Sequence, residues 1–285
     1  MTNKQQASLL FEQMNLSSKR AIEPFIYTDI LAEYAGNNQT NAFHFWSMEK
    51  EVVLGMKDTR VTDLAKGVEA IEQHGYHVIV RNSGGLAVVA DEGILNFSII
   101  LPQQADKFAF SIDDGYELMK QLIETSLWDF NCQIDAFEVT DSYCPGDFDL
   151  SINGKKFAGI SQRRIKKGIA IMIYLSVNGN QTARGELVRE FYQASLGSDF
   201  GKDGYPPVNP EAMANLSDLL KAELSVLDMK NRLVQAIEQT YELSDASTKE
   251  FNDFQTTPEF EASYTHQLDR MLQRNDILQE KGGVE

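Results

Sequence analysis

This chain predicts an α+β fold: a mixed, largely antiparallel sheet with flanking helices, and further helices at the C-terminal end. Three observations carry that prediction. Short runs rich in aromatic and β-branched residues recur between positions 42 and 177. They arrive in hairpins as often as across helices, which argues against a doubly wound parallel sheet. Stretches with helical spacing of apolar residues lie among them and after them. With 285 residues, 42 % of them apolar, the chain can build one large domain, or one with an appendage, around a sizeable core. No internal repeat is present.

The elements follow in order. Residues 1–20 are polar and poorly patterned and read as loosely held, and 1–41 as a whole read as an N-terminal arm. Positions 42–56 read as extended segments. Val61 to His74 predicts a helix with Leu64, Val68 and Ile71 on one face and Gly75 at the position just past its end. Tyr76–Val80, Leu86–Val89 and Ile94–Leu101 predict strands, with Asp91-Glu92-Gly93 turning between the last two. Ile112 to Phe130 predicts an amphipathic helix with Asp113 as its N-cap, and the stripe from Tyr116 through Met119, Leu122, Ile123 and Leu127 to Phe130 reads as core.

Ile134–Thr140 and Phe148–Ile152 predict strands flanking a loop around Cys144. Lys156–Gln162 and Ile169–Val177 predict a hairpin pair around a basic turn, and Gly185–Ala194 a helix. Pro206, Pro207 and Pro210 mark a linker. The division expected is therefore an arm at 1–41, a main domain at 42–205 and a helical segment at 206–285 packed on it. In that segment Ala212–Ala222 and Ser225–Tyr241 predict helices, the second opened by the capping-box spacing of Ser225 and Asp228. From Phe251 onward the chain is polar with scattered apolar anchors.

Composition excludes several functions. The formal net charge is −16, from 42 acidic and 26 basic residues, which repels phosphate backbones and disfavours broad nucleic-acid binding. No apolar run reads as a signal peptide or a membrane span, and the two cysteines, Cys132 and Cys144, make no disulfide framework. A reducing cytoplasm is the expected compartment. His44, His74, His77 and His266 have no familiar ligand spacing, so no metal is expected.

Two segments carry chemistry. Arg81-Asn82-Ser83-Gly84-Gly85 lies between two strands, where glycines let a ligand approach the backbone. It lacks the spacing of a dinucleotide fingerprint or a P-loop, and on spacing alone a tight hairpin turn explains it as well. The second pairs Cys144 with Lys156. A neighbouring ammonium turns a thiol into a thiolate, the form that attacks carbonyl carbon. A buried structural thiol and a solvated turn lysine are the plainer alternatives. Lys155 and Lys156 follow the turn at Asn153-Gly154, and strand alternation sends them to opposite faces. Lys156 shares its face with Ala158 and Ile160, and small Gly159 leaves room for a substrate. That makes Lys156 the better inward candidate, although periodicity alone leaves Lys155 open.

These residues resemble the signature of the lipoate–protein ligase and biotin ligase superfamily. Arg81-Asn82-Ser83-Gly84-Gly85, then Asp91-Glu92-Gly93 and Asn96-Phe97-Ser98, carry one half, and Gly154 to Arg163 carries the other, in the same order over about positions 42–173. The segments Gly55–Arg60, Val78–Val89 and Ser142-Tyr143-Cys144-Pro145-Gly146 resemble the amidotransferase branch. The resemblance implies a biotin/lipoate ligase-like catalytic domain. It implies an enzyme that moves an octanoyl or lipoyl group from the lysine of the glycine cleavage H protein to the lysine of lipoyl domains of 2-oxoacid dehydrogenases. Cys144 would carry the acyl group as a thioester and Lys156 would lower its pKa. No nucleotide or other cofactor would be needed.

By the same resemblance Arg81, Ser83 and Gly84 belong to the acyl pocket, and Gly85, Leu86 and Val88 are expected beside them along the tunnel. Leu86 replaces a third glycine found in many ATP-using ligases. Those ligases also manage without a nucleophilic cysteine, so Leu86 and Cys144 favour transfer without ATP. An ATP-dependent ligase, an acyl-carrier-protein-dependent octanoyltransferase and a non-catalytic lipoyl-domain binding module are the alternatives. The dense basic group Arg163, Arg164, Lys166 and Lys167 is expected either to dock the carrier proteins or to be a charged hairpin tip.

Overall fold

The computed structural model describes residues 7–103 and 110–281. The first strand, β1 (Ala7–Leu16), leads into helix α1 (Glu23–Asn38), then β2 (Ala42–Met48) and β3 (Lys50–Leu54). Helix α2 (Leu64–Gln73) precedes β4 (His77–Val80), β5 (Val88–Asp91) and β6 (Ile94–Pro102). Next come α3 (Ile112–Ser126), β7 (Asp135–Ala136), β8 (Asp149–Ile152), β9 (Lys155–Ile165), β10 (Gly168–Ser176) and α4 (Gln181–Leu196). The chain closes with α5 (Leu216–Leu220), α6 (Val226–Glu238), β11 (Glu242–Leu243), α7 (Asp245–Phe254) and α8 (Pro258–Lys281).

The strands form an eight-stranded sheet in the order β11-β1-β2-β6-β10-β9-β8-β7 and a three-stranded sheet in the order β4-β3-β5. The pairs β1/β2, β1/β11 and β3/β4 are parallel and the others antiparallel, so the sheet is mixed and largely antiparallel, as predicted. Alternation divides the large sheet into two faces. Phe43, Phe45, Phe97, Ile171 and Ile173 point to one, under α3 and α6. His44, Trp46, Asn96, Met172 and Tyr174 point to the other, the side of α1 and the small sheet.

The local signals hold where they are strongest. Leu64, Val68 and Ile71 of α2 are buried, and Gly75 takes the left-handed conformation (φ 72°) that ends the helix. Ser225 and Asp228 form the expected capping box of α6. Four expectations fail. The stretch read as loosely held contains β1, whose Leu9 and Leu16 are fully or nearly fully buried, and the rest of the arm contains α1, most of which lies in the core. The pairing of β1 with β2 is parallel and bridges a helix, so no hairpin signal announces it. The N-cap of α3 is Ser111, whose hydroxyl accepts from the N–H of Asp114 while that carboxylate accepts from the N–H of Ser111, and Asp113 lies in the first turn. The strand expected over 134–140 is only Asp135–Ala136.

The helix expected over 212–222 shortens to Leu216–Leu220 behind a single turn at Pro210–Ala212. The polar tail from Phe251 is helical through Lys281. Its sparse anchors suffice because α7 and α8 meet the body along one aromatic seam, where Phe251, Phe254, Phe260 and Tyr264 meet Phe11, Tyr27 and Tyr34 edge-on or tilted.

Candidate active site

Between the large sheet and the loops at its edge lies a cavity of about 360 Å³. Across the large sheet, Trp46, Asn96, Tyr174, Gly159 and Asp149 sit in register on neighbouring strands, and all five line it. Strands lie about 4.8 Å apart. The row therefore runs from a polar end near Cys144 to an apolar end under Phe25 and Trp46, whose rings meet edge to face at 5.5 Å. Val53, Val88 and Ala90 close the cavity from the small sheet.

Cys144 stands in the loop 137–148 between β7 and β8, half-buried, with a left-handed backbone (φ 46°). Its sulfur accepts hydrogen bonds from the backbone N–H of Leu86 at 3.2 Å and from Nη2 of Arg81 at 3.6 Å. The Arg81 guanidinium also donates to the carbonyl oxygens of Gly84 and Leu86, at 3.1 and 3.0 Å. It thus folds the glycine loop around itself and presents one remaining N–H to the sulfur. Gly85 permits this twice over. Its φ is 93°, and a Cβ there would lie 2.3 Å from Arg81 Nη2 and 3.1 Å from the sulfur.

Lys156 is buried, and its ammonium makes four contacts. It pairs with Asp149 Oδ1 at 2.9 Å and donates to the carbonyl oxygens of Cys144 (2.7 Å) and Tyr143 (3.0 Å) and to Ser142 Oγ (3.2 Å). Lys156 therefore grips the backbone of the cysteine loop, while the cation in contact with the sulfur is Arg81. The other Asp149 oxygen accepts from the N–H groups of Gly146 and Val139, both at 3.2 Å, tying down the same loop. Burial pushes the Asp149 carboxyl up from its ordinary value, and Lys156 opposes that. Lys155, one residue earlier, faces outward toward Glu211, as alternation predicts.

A second layer holds these loops. The Tyr143 and Tyr174 hydroxyls lie 2.6 Å apart, and Gln181 donates to Tyr143 at 3.0 Å. Asp58 accepts from the N–H of Gly55 and from the hydroxyl of Tyr192, both at 2.8 Å, and that hydroxyl accepts from the N–H of Ala87. Burial raises the Asp58 carboxyl to about 6.

The expected site residues divide as follows. Cys144, Lys156, Arg81, Ser83, Gly84, Gly85, Val88 and Gly159 all line the cavity. Leu86 does not line it: its side chain is buried in the core, and it reaches the site through its backbone N–H. The basic group is spread out. Arg163 turns inward to pair with Asp29 at 3.0 Å and to donate to the carbonyl of Asn82, Arg164 donates to the carbonyl of Phe110, and Lys166 pairs with Glu33. Tyr116, expected as core, stacks on Phe148 and lines the cavity. Asp149, Ser142, Asp58 and Tyr192 were not singled out by sequence. Asp149 and Lys156 flank the Asn153-Gly154 turn, but a register shift between Leu150 and Ser151 obscures their pairing. Among the described residues no cluster of His, Cys, Asp or Glu could hold a metal ion, and no helix is long and apolar enough to cross a membrane.

The model of the lipoyl protein ligase A/B catalytic domain matches residues 21–238. The chain belongs to that family. Among its relatives, an octanoyl-[GcvH]:protein N-octanoyltransferase of Lysinibacillus sphaericus is 39 % identical over 271 residues, covering 95 % of this chain and 94 % of that one. A lipoyl-[GcvH]:protein N-lipoyltransferase of Listeria monocytogenes is 46 % identical over 218 residues, covering 76 % and 78 %. The family fold is also that of a bipartite lipoate protein ligase from Thermoplasma acidophilum (TM-score 0.68, 17 % identity, 96 % of this chain and 97 % of that one). A lipoate-protein ligase A bound with ATP superposes similarly (TM-score 0.66, 17 % identity, 93 % and 95 %).

Proposed function

We propose that this enzyme is a protein N-octanoyltransferase that moves an octanoyl or lipoyl group from the H protein of the glycine cleavage system to lipoyl domains of 2-oxoacid dehydrogenases, in the cytoplasm and without ATP. The observation that carries the reading is the meeting of a thiol, a guanidinium, a backbone N–H and a buried ammonium at the polar end of one largely apolar cavity. Relatives covering nearly the whole chain bear the names of that reaction.

In the first step the Cys144 thiolate attacks the carbonyl carbon of the donor's acyl-lysine. A C–S bond forms, the C–N bond breaks, and the leaving lysine takes a proton. Arg81 and the N–H of Leu86 stabilise the thiolate before attack. Lys156 sets the cysteine loop and is the buried acid from which the proton comes. In the second step the acceptor's lysine attacks the thioester, the amide re-forms, and the thiolate and the proton return to the enzyme. An amide is exchanged for an amide, so the net reaction is close to thermoneutral and needs no activation by a nucleotide. The acyl tail lies toward Phe25, Trp46 and Val53, where each buried CH₂ contributes about 0.8 kcal/mol.

The test is Cys144→Ala, assayed with octanoylated H protein and an apo lipoyl domain in the absence of ATP. Transfer should fall by at least about a thousandfold with the fold unchanged. Undiminished transfer, or transfer that appears only on adding ATP, refutes the reading.

A further inference from the structure

Three arginines gather on the outer side of the Arg81–Gly85 loop. Ser83, Gly84 and Gly85 face the cavity, while Asn82 faces away, donating to Asp29 Oδ2 at 3.2 Å and accepting from Arg163 through its carbonyl. Helix α8 is fastened to the same loop: Asn275 accepts from the N–H of Val80 at 2.8 Å and donates to its carbonyl at 3.1 Å. That anchor brings Arg274 and Arg270 alongside Arg163. Arg274 reaches Met56, and the Nε atoms of both Arg163 and Arg274 are buried without a hydrogen-bond partner. The positive charges of Arg163 and Arg270, with burial foremost, hold the proton affinity of Arg274 below its ordinary value, and the carboxylate that acts against them is Asp29. Like charges held together cost free energy unless something answers them. In a chain of net charge −16 this convergence is out of character.

We infer that Arg270 and Arg274, with inward-turned Arg163 reinforcing their charge from behind, form the seat for an acidic face of the carrier protein whose lysine is delivered to Cys144. This rests on the transfer reaction proposed above. A strongly acidic enzyme repels an acidic partner everywhere except at such a patch. The patch therefore sets the docking register and the encounter rate. The position fits, because the loop it flanks is the cavity wall that carries Arg81. Carboxylates on a protein surface suit the cluster better than a phosphate. The three guanidinium groups lie outside the cavity, and Arg270 and Arg274 sit in the C-terminal half of α8, away from the unpaired N–H groups that its first turn would offer an anion.

The experiment compares wild type with Arg270→Glu/Arg274→Gln on two acyl donors, octanoylated H protein and a small octanoyl thioester, over a range of salt. With the carrier, kcat/KM should fall about 10–100-fold, mainly through KM, and its salt dependence should flatten, while acylation by the small thioester stays within about twofold. Lys166→Glu/Lys167→Glu should cost less. Unchanged carrier kinetics, equal losses on both donors, or a larger loss from the Lys166/Lys167 pair overturns the inference. So does saturable binding of inorganic pyrophosphate that depends on Arg274 while carrier kinetics do not. Should the double variant not fold, exposed Arg270→Glu alone should lower carrier kcat/KM about 3–10-fold, and no change there is equally fatal. If wild type accepts the small thioester but never the carrier, the transfer reading fails by itself. Calorimetric binding of the carrier, lost in the variant or unaltered, then decides the docking seat.

Discussion

The two faces of the eight-stranded sheet are built from the same strands yet have opposite characters. One is dry and aromatic. Phe45 stacks on Phe97 at 4.5 Å and Phe43 lies parallel to Phe97 at 6.3 Å, all beneath α3 and α6. The other carries His44, Asn96 and Ser98 on those same strands, one residue out of phase. There burial holds the His44 imidazole neutral, its pKa pushed down to about 3, and Asn96 Nδ2 and Ser98 Oγ lack partners. The contrast teaches that stability and chemistry are separated by the period of a β-strand. The dry face gains from close packing. The polar face gives up some of that gain to keep a cavity and polar groups on the side of the sheet that holds the Cys144 sulfur.

The sharpest way to break the separation is at Lys156, which serves both sides of it. Lys156→Met removes the cation from buried Asp149, so it should lose transfer and about 3–5 kcal/mol of stability together. Lys156→Met/Asp149→Asn should recover most of the stability and none of the transfer. Urea unfolding beside single-turnover acylation reads both, and a stable but inactive single variant would show that the pair holds nothing in place.

On the dry face Phe45→Ala should cost about 3–5 kcal/mol while the transfer rate per folded molecule stays at the wild-type level. A specific loss of rate in the folded fraction would mean that the faces are coupled.

The smallest effect is expected at Glu51, a buried residue of β3 directly opposite cavity-lining Ala90. Neither of its carboxyl oxygens has a hydrogen-bond partner, and burial, helped by Glu49, pushes it up from 4.5 to about 7. The folded protein thus holds this proton more tightly than the unfolded chain does. Its contribution is fully present below about pH 4.5 and is lost as pH rises through about 7. Glu51→Gln should therefore be more stable than wild type at about pH 8, by on the order of 1 kcal/mol, and gain nothing near pH 4. An equal gain at both pH values would show that the charge is not what costs stability.

Much of this molecule was legible because its signals are local. The hairpin of β9 and β10 and the opposite facing of Lys155 and Lys156 follow from alternation. The end of α2 at Gly75 and the capping box at Ser225 follow from short-range spacing and backbone freedom. Part of the cavity lining was legible too, through the two dispersed signatures around Arg81 and Lys156, whereas Phe25, Trp46, Val53 and Tyr116 gave no sign of lining it. Where the signal depended on distant pairing it was lost. β1 joins the sheet beside β2 only after α1 has crossed between them, and α8 looks too polar for a packed helix until its aromatic seam meets α1.

The sequence by itself determined which residues to propose for the chemistry: a cysteine, a lysine on the inward side of its strand, and a glycine loop able to approach both. Tertiary structure alone decided what each one touches. Arg81 is 63 positions from Cys144 in the chain, and only the docking of the small sheet against the large one brings its guanidinium to the sulfur and sends Lys156 to the loop backbone and Asp149. The physical reason is range. Periodicity and capping act over three or four residues, whereas a charge beside a sulfur depends on strand register, bulges and loop closure summed over the whole fold.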